Sequence, residues 1–128
     1  GNVGQALARL LLRKRHVLQT QYDLTFKITG IATGRHGAAI DLQGLDLVRA
    51  LAILAGDQSL SVLSAVPDIP SGHDFIDSCG ADLIFECTPV NYVTGQPAVD
   101  YLRTAIDNGM HAVSAKCQRS KNTKYAKC

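Results

Sequence analysis

Gly1-Asn2-Val3-Gly4-Gln5-Ala6-Leu7-Ala8-Arg9-Leu10-Leu11-Leu12 opens the chain and decides how the rest is read. Two glycines, three positions apart, run straight into an apolar segment of good helix formers. In the dinucleotide-binding turn G-x-G-x-x-G a strand precedes the glycines and a helix follows them. Gly1 and Gly4 fit the last two glycines, so the sequence is expected to lack the first strand and the first glycine of that turn. In the full motif the second glycine lets backbone approach a pyrophosphate and the third lets helix pack on sheet. The helix then offers unpaired amides and its positive dipole end to the phosphates. A bare G-x-x-G equally fits an ordinary glycine-containing helix start.

Working outward, the first helix is expected from Asn2 to about Gln19, with Val3, Leu7, Leu10, Leu11 and Leu18 as an apolar core stripe. Asp23 to Ala32 follows, alternating Leu24, Phe26 and Ile28 with Thr25, Lys27 and Thr29. That period of two predicts a strand, and strand after helix after glycine turn is the βαβ order of a parallel sheet. At the end of such a strand an NAD site commonly places an acid on the adenosine ribose. Here Thr33-Gly34-Arg35-His36-Gly37 has none. Arg35, with Thr33 beside it, is instead suited to a 2′-phosphate, because a guanidinium pairs with phosphate through two donors. That reading leans to NADP over NAD; the other reading makes Arg35 a solvated loop arginine.

A second helix is expected from about Leu45 to Ala55, capped by Gly56, and an irregular connector from Ser59 to His73. Asp74 to Gly80 reads as a short helix or turn, with Cys79 a small buried residue. Leu83-Ile84-Phe85 is a short continuous apolar run, which predicts a strand covered on both faces. The strand ends in Glu86-Cys87-Thr88-Pro89, where the proline stops the ladder. Ligands of open α/β sheets collect beyond the carboxyl ends of strands, which makes Cys87, Thr88 and Pro89 candidates. Glu86 reads as a structural carboxylate bonded to loop backbone rather than an acid–base group. Gly95 to Asn108 supplies a third helix with Ala98, Leu102, Ala105 and Ile106 inward and Gly109 as its stop, and Met110 to Ala115 a last strand.

Composition bounds the function. The 128 residues suffice for one domain with a core. The four cysteines, Cys79, Cys87, Cys117 and Cys128, contain no C-x-x-C pair, against a disulfide framework or a metal site. No apolar run is long enough to span a bilayer, and no basic-then-apolar leader opens the sequence, so a cytoplasmic protein is expected. Residues 1–115 hold 8 basic and 11 acidic groups, whereas residues 116–128 hold 5 basic groups and no acid. Those last residues lack periodicity and read as a disordered basic tail. A nucleic-acid-binding arm is the alternative, disfavoured because only Tyr125 there is able to stack on a base.

Three blocks, in order, carry a family likeness: Gly1-Asn2-Val3-Gly4, then Cys87-Thr88-Pro89 with Thr94-Gly95-Gln96-Pro97, then Asn108-Gly109-Met110-His111-Ala112-Val113-Ser114-Ala115. The chain resembles the NAD(P)-binding domain of homoserine dehydrogenase over residues 1 to about 115. The resemblance implies an α/β fold of Rossmann type, a parallel sheet with helices on both faces, truncated at its N-terminal strand. It implies a separate catalytic and dimerisation domain, hence a homo-oligomer, and reduction of aspartate-4-semialdehyde to homoserine on the route to threonine, methionine and isoleucine. By resemblance, Gly1, Asn2, Val3 and Gly4 face the pyrophosphate, Thr88 and Pro89 the nicotinamide ribose, and Ser114 and Ala115 the nicotinamide. Where the family reads A-N-K-G, this chain reads Ala115-Lys116-Cys117-Gln118. Lys116, the catalytic candidate, therefore sits one position early, and the sequence beyond it departs from the family. Such a piece is expected to orient a cofactor without catalysing. A non-catalytic Rossmann-type ligand-binding or interaction module is the alternative function, and neither a membrane nor nucleic acid is an expected partner.

Overall fold

The computed structural model describes residues 1–89, 91 and 93–115. The expected tail, residues 116–128, and with it Lys116, lies outside them. In chain order the elements are α1 (Asn2–Tyr22), β1 (Gly30–Thr33), β2 (Gly37–Ile40), α2 (Leu47–Ala55), a 3-10 turn (Leu60–Leu63), α3 (Gly72–Ser78), β3 (Leu83–Glu86), α4 (Ala98–Asp107) and β4 (His111–Ser114). The protein is α/β. Its parallel pair, β3 and β4, is joined by α4, and this βαβ crossover is the building unit of a Rossmann-like sheet.

Local sequence explains most of the helix ends. Asp46 caps α2 by accepting from the backbone amides of Val48 and Arg49 at 2.9 and 3.1 Å. Ser71 caps α3 through Asp74 N–H, and its hydroxyl also donates to the Asp74 carboxylate at 2.5 Å. Gly109, at φ +76°, ends α4: its amide donates to Ile106 O, and Met110 N–H to Ala105 O. This pair of bonds is the Schellman stop that a left-handed glycine allows. Gly56 is the α2 cap as expected, but in extended rather than left-handed backbone.

The stretch Asp23 to Ala32 departs most from expectation. Only Gly30–Thr33 becomes strand, and it pairs antiparallel with β2, Ile31 opposite Ala39. The chain folds back at Gly34–Gly37, where Gly37 takes φ +72° and His36 N–H donates to Thr33 Oγ1 at 2.9 Å. Alternation at Leu24, Phe26 and Ile28 marks a potential strand, but a strand exists only against a partner ladder. Residues 28 and 29 instead receive single bonds from Leu45 N–H (2.7 Å) and Asp41 N–H (2.9 Å), and Leu24 is exposed.

β2 divides the core. Ala39 belongs to one cluster with Leu45, Ala50, Ile53 and Leu60; its neighbour Ile40 belongs to another with Ile76, Cys79, Ala105 and Met110. Adjacent strand residues point to opposite faces, so one short strand serves both clusters. The connector between α2 and α3 thus contributes Leu60, which is completely buried. Burial also pushes the Cys79 thiol pKa up. A polar seam ties α3 to α4: Asn108 Nδ2 donates to Asp77 Oδ1 at 2.7 Å, and His73 Nδ1 meets Thr104 Oγ1 at 2.8 Å. Because Thr104 Oγ1 donates its one proton to Asp100 O, His73 is the donor there.

Three expected core assignments are corrected. None of α1 is buried against the described residues; Val3 is 53% and Leu10 41% exposed, because the helix packs chiefly on α2 alone. Ile106 on α4 turns outward, leaving Ala98 and Ala105 as that helix's buried residues. In β3, Ile84 packs on the second cluster, whereas Leu83 and Phe85 on the other face stand 43% and 40% exposed.

Gly30 is fixed by a close approach rather than by its dihedrals. A Cβ there meets the Phe75 ring at 2.8 Å and the buried Cys79 Cβ at 3.0 Å. Gly30→Ala is therefore expected to lower stability by about 1–3 kcal/mol, the usual cost of overpacking. A denaturant midpoint unchanged by the substitution would show that Phe75 swings aside at no cost.

Candidate functional site

The carboxyl ends of β3 and β4 lie side by side because the parallel register sets Glu86 opposite Ser114. Ala115 N–H extends the ladder by donating to Glu86 O at 3.0 Å. Glu86 is two residues beyond Ile84, so strand parity turns its side chain to the same covered face. It is 4% exposed. A buried carboxylate needs donors, and it has them on both oxygens. Oε1 accepts from Thr88 N–H at 2.6 Å and from the Thr88 hydroxyl; Oε2 accepts from the Ser114 hydroxyl at 2.9 Å.

This one side chain gathers most of the downstream candidates. Thr88 and Ser114 bond to it directly, Cys87 lies between Glu86 and Thr88, Pro89 follows, and Ala115 bonds its backbone. Cys87 and Thr88 are half-buried, while Pro89, Ser114 and Ala115 are exposed. The reading of Glu86 as a carboxylate bonded to loop backbone holds at Thr88 N–H. Its reach across to Ser114, 28 residues away, is the part that sequence reasoning missed. The signal was present in the parity of Ile84 and Glu86, which puts a charge on an apolar face.

Gly1, Asn2, Val3 and Gly4 sit on another element, at the amino end of α1. Gly1 is the N-cap and, among the described residues, makes no side-chain cap bond. A Cβ built at Gly1 or Gly4 meets nothing within 4 Å. Gly4 therefore does not serve a close helix-on-sheet contact in this structure. The uncapped, open helix end retains amides able to receive an anion.

The third group is the β1–β2 turn. Thr33 Oγ1 caps the turn through His36 N–H. Arg35 Nη2 pairs with Asp57 Oδ1 at 2.8 Å, with side chains 75% and 91% exposed. Nothing in the sequence flagged Asp57, since 22 residues separate the pair. The turn is held to that segment by Leu60 N–H donating to His36 O at 2.8 Å and by His36 Nδ1 meeting Gln58 O at 3.0 Å. A separate groove, lined by Arg15, Gln19, Leu24, Thr25 and Phe26, lies at the far end of α1 and includes no candidate residue. Among the described residues no group of three or more His, Cys, Asp or Glu side chains is placed to hold a metal, and no helix is long and apolar enough to cross a membrane.

The candidates thus fall into three groups on separate elements: the β3–β4 strand ends around Glu86, the amides at the α1 tip, and the exposed Arg35 guanidinium on the β1–β2 turn. Removing the buried carboxylate by Glu86→Ala is expected to cost about 1–3 kcal/mol, because Thr88 N–H and the Thr88 and Ser114 hydroxyls lose the acceptor they share. Chemical denaturation of the two proteins measures it; equal midpoints would mean that water replaces the carboxylate.

Comparison with curated proteins finds 31% identity over 114 residues with the NAD(+)-dependent homoserine dehydrogenase of Pseudomonas canavaninivorans, covering 89% of this chain and 32% of that protein. The homoserine dehydrogenase of Methanocaldococcus jannaschii is 33% identical over 115 residues, covering 90% of this chain and 34% of that protein. The family likeness seen in the three sequence blocks is thus carried along nearly the whole chain, which spans about a third of the length of these relatives. No family model matches the chain, and no solved structure matches it significantly.

Proposed function

We propose that this chain is the nicotinamide-dinucleotide-binding portion of a homoserine dehydrogenase, the family to which nine-tenths of its length is similar. The observation that carries the proposal is the convergence of Thr88 and Ser114, from two separate blocks of the likeness, on one buried carboxylate at aligned parallel strand ends. Strand ends of open α/β sheets are where such ligands bind.

The residues present fit a dinucleotide. The α1 tip is uncapped and open around Gly1 and Gly4, which suits a pyrophosphate held by Gly1, Asn2, Val3 and Gly4 through backbone amides. Thr88 and Pro89 flank the nicotinamide ribose, with Cys87 beside them at the strand end, and Ser114 and Ala115 the nicotinamide. Bound there, the cofactor supplies the hydride for interconverting aspartate-4-semialdehyde and homoserine; the protein's part is to bind and orient it. The family's substrate-binding groups belong to a catalytic and dimerising domain, and Lys116 is this chain's one candidate for approaching substrate. We assign the whole protein to cytoplasmic threonine, methionine and isoleucine biosynthesis, as a homo-oligomer.

Activity tests the division of labour. The 128-residue chain with aspartate semialdehyde and NADPH is expected to show no turnover above background. Measurable turnover would place a complete active centre within these residues.

Either NADP or NAD suits the site, and Arg35 is the residue that separates them. An exposed ion pair such as Arg35–Asp57 contributes at most about 1 kcal/mol, so a 2′-phosphate displaces Asp57 cheaply. Arg35→Ala is expected to weaken NADPH binding by about tenfold, the loss of a charge-assisted contact, and to leave NADH binding unchanged. Equal NADPH affinity before and after the substitution removes Arg35 from the site. A dinucleotide titration in which neither cofactor binds would favour the second reading, a non-catalytic module.

A further inference from the structure

We infer that Asp57 is a second specificity-determining residue at the adenosine ribose, one that accepts a hydrogen bond from the 2′-hydroxyl of NAD and opposes the 2′-phosphate that Arg35 attracts. The inference rests on the reading of the β1–β2 turn as the adenosine ribose subsite and adds the residue that works against Arg35 there.

A carboxylate at this place is what a dinucleotide site commonly uses to hold the 2′-hydroxyl, and Thr33-Gly34-Arg35-His36-Gly37 contains none. The tertiary structure supplies one from the segment after α2. Asp57 follows the cap residue Gly56, and its Oδ1 meets Arg35 Nη2 at 2.8 Å. With side chains 75% and 91% exposed, that ion pair is too weak to hold the two segments together. The bonds around His36 hold them instead. Leu60, completely buried in one cluster with Ala39 of β2, donates its N–H to His36 O at 2.8 Å. His36 Nδ1 meets Gln58 O at 3.0 Å, and Ser59 Oγ donates to His36 O at 3.4 Å. His36 follows Arg35 and Gln58 follows Asp57, so these bonds set the two charges side by side. A ligand that breaks the ion pair therefore leaves the carboxylate next to the guanidinium it has vacated.

The two side chains have opposite requirements. A carboxylate only accepts and a guanidinium only donates. Asp57 Oδ1 is engaged by Arg35, while Oδ2 makes no hydrogen bond among the described residues. A ribose 2′-hydroxyl donates to Oδ2 without disturbing the pair. A 2′-phosphate, with a charge of about −1.5 to −2 at neutral pH, takes the guanidinium and is then held beside a carboxylate that repels it. Asp57 thus offsets part of what Arg35 contributes to NADP, and the lean to NADP read from Arg35 alone is balanced by an acid 22 residues away.

The probes are adenosine 5′-monophosphate and adenosine 2′,5′-bisphosphate, which carry the adenosine end alone and differ only in the 2′-phosphate. Each is titrated calorimetrically into the 128-residue chain and its variants. Asp57→Ala is expected to weaken the monophosphate about tenfold, the loss of a hydrogen bond to a charged group. The same change is expected to tighten the bisphosphate about tenfold, the release of a like-charge repulsion. A general gain of positive charge would tighten both probes, and a damaged fold would weaken both, so the opposite signs belong to Asp57 facing the ribose. In an Arg35→Ala background Asp57→Ala still weakens the monophosphate; disappearance of that loss would mean that Asp57 acts only through Arg35, and overturns the inference. An unchanged monophosphate affinity in Asp57→Ala, or a bisphosphate affinity that fails to rise, overturns it as well. If Arg35→Ala weakens the bisphosphate while Asp57→Ala moves neither probe, the subsite reading stands and this inference alone falls. If neither probe binds the parent chain, or Arg35→Ala leaves the bisphosphate unchanged, the subsite reading fails and the role of Asp57 with it.

Discussion

The carboxylate of Glu86 is the constraint on which the candidate site depends. Two parallel strands of four residues each share only a short ladder, and the backbone bonds of that ladder end where the chain leaves the sheet. Beyond that point Thr88 would be a loop residue with no reason to keep a fixed geometry to Ser114, the last residue of β4. A single buried charge supplies the reason. Leaving any of its lone pairs unmet in a low-dielectric surrounding is costly, so three donors from two segments are drawn to it. The position of one side chain thereby converts two strand ends into one surface.

The same economy of elements runs through the rest of the fold. β2 has four residues, yet Ala39 and Ile40 anchor separate clusters because strand parity sends them to opposite sides. α3 and α4 cover the Ile84 face of the parallel pair, fastened to one another at His73–Thr104 and Asp77–Asn108. The other face of β3, with Leu83 and Phe85, and the apolar stripe of α1 remain partly exposed. Their hydrophobicity agrees with burial in a larger doubly wound sheet, the setting in which apolar strand runs are found. The described residues supply cover on one side.

Parts of the molecule were legible from local chemistry. Gly56 and Gly109 marked helix ends correctly, because a cap depends only on residues within a turn or two, whereas Asp46, the N-cap of α2, fell inside the helix expected from Leu45. The apolar run ending at Glu86 gave β3, and Thr88-Pro89 gave its exit. The three blocks of family likeness were legible too, and the relatives from Pseudomonas canavaninivorans and Methanocaldococcus jannaschii carry the same name. Other parts were not. Leu24, Phe26 and Ile28 have the right alternation for a strand, but alternation records which residues suit a sheet and says nothing about whether a neighbouring strand arrives. Val3, Leu10 and Ile106 have helical spacing, but spacing defines a stripe without stating what covers it.

By itself, then, the amino-acid sequence determined what each segment is able to become: the opening helix, its glycine start, the glycine helix stops, the short strand β3 and the acid at its end. These follow from interactions among residues a few positions apart. Only the tertiary structure decided the pairings: β1 with β2 rather than a parallel partner, Arg35 with Asp57, and Glu86 with Ser114 across 28 residues. Contacts between distant positions depend on how whole elements pack, and packing is settled by the competition of all the faces for cover, a quantity that no single stretch contains.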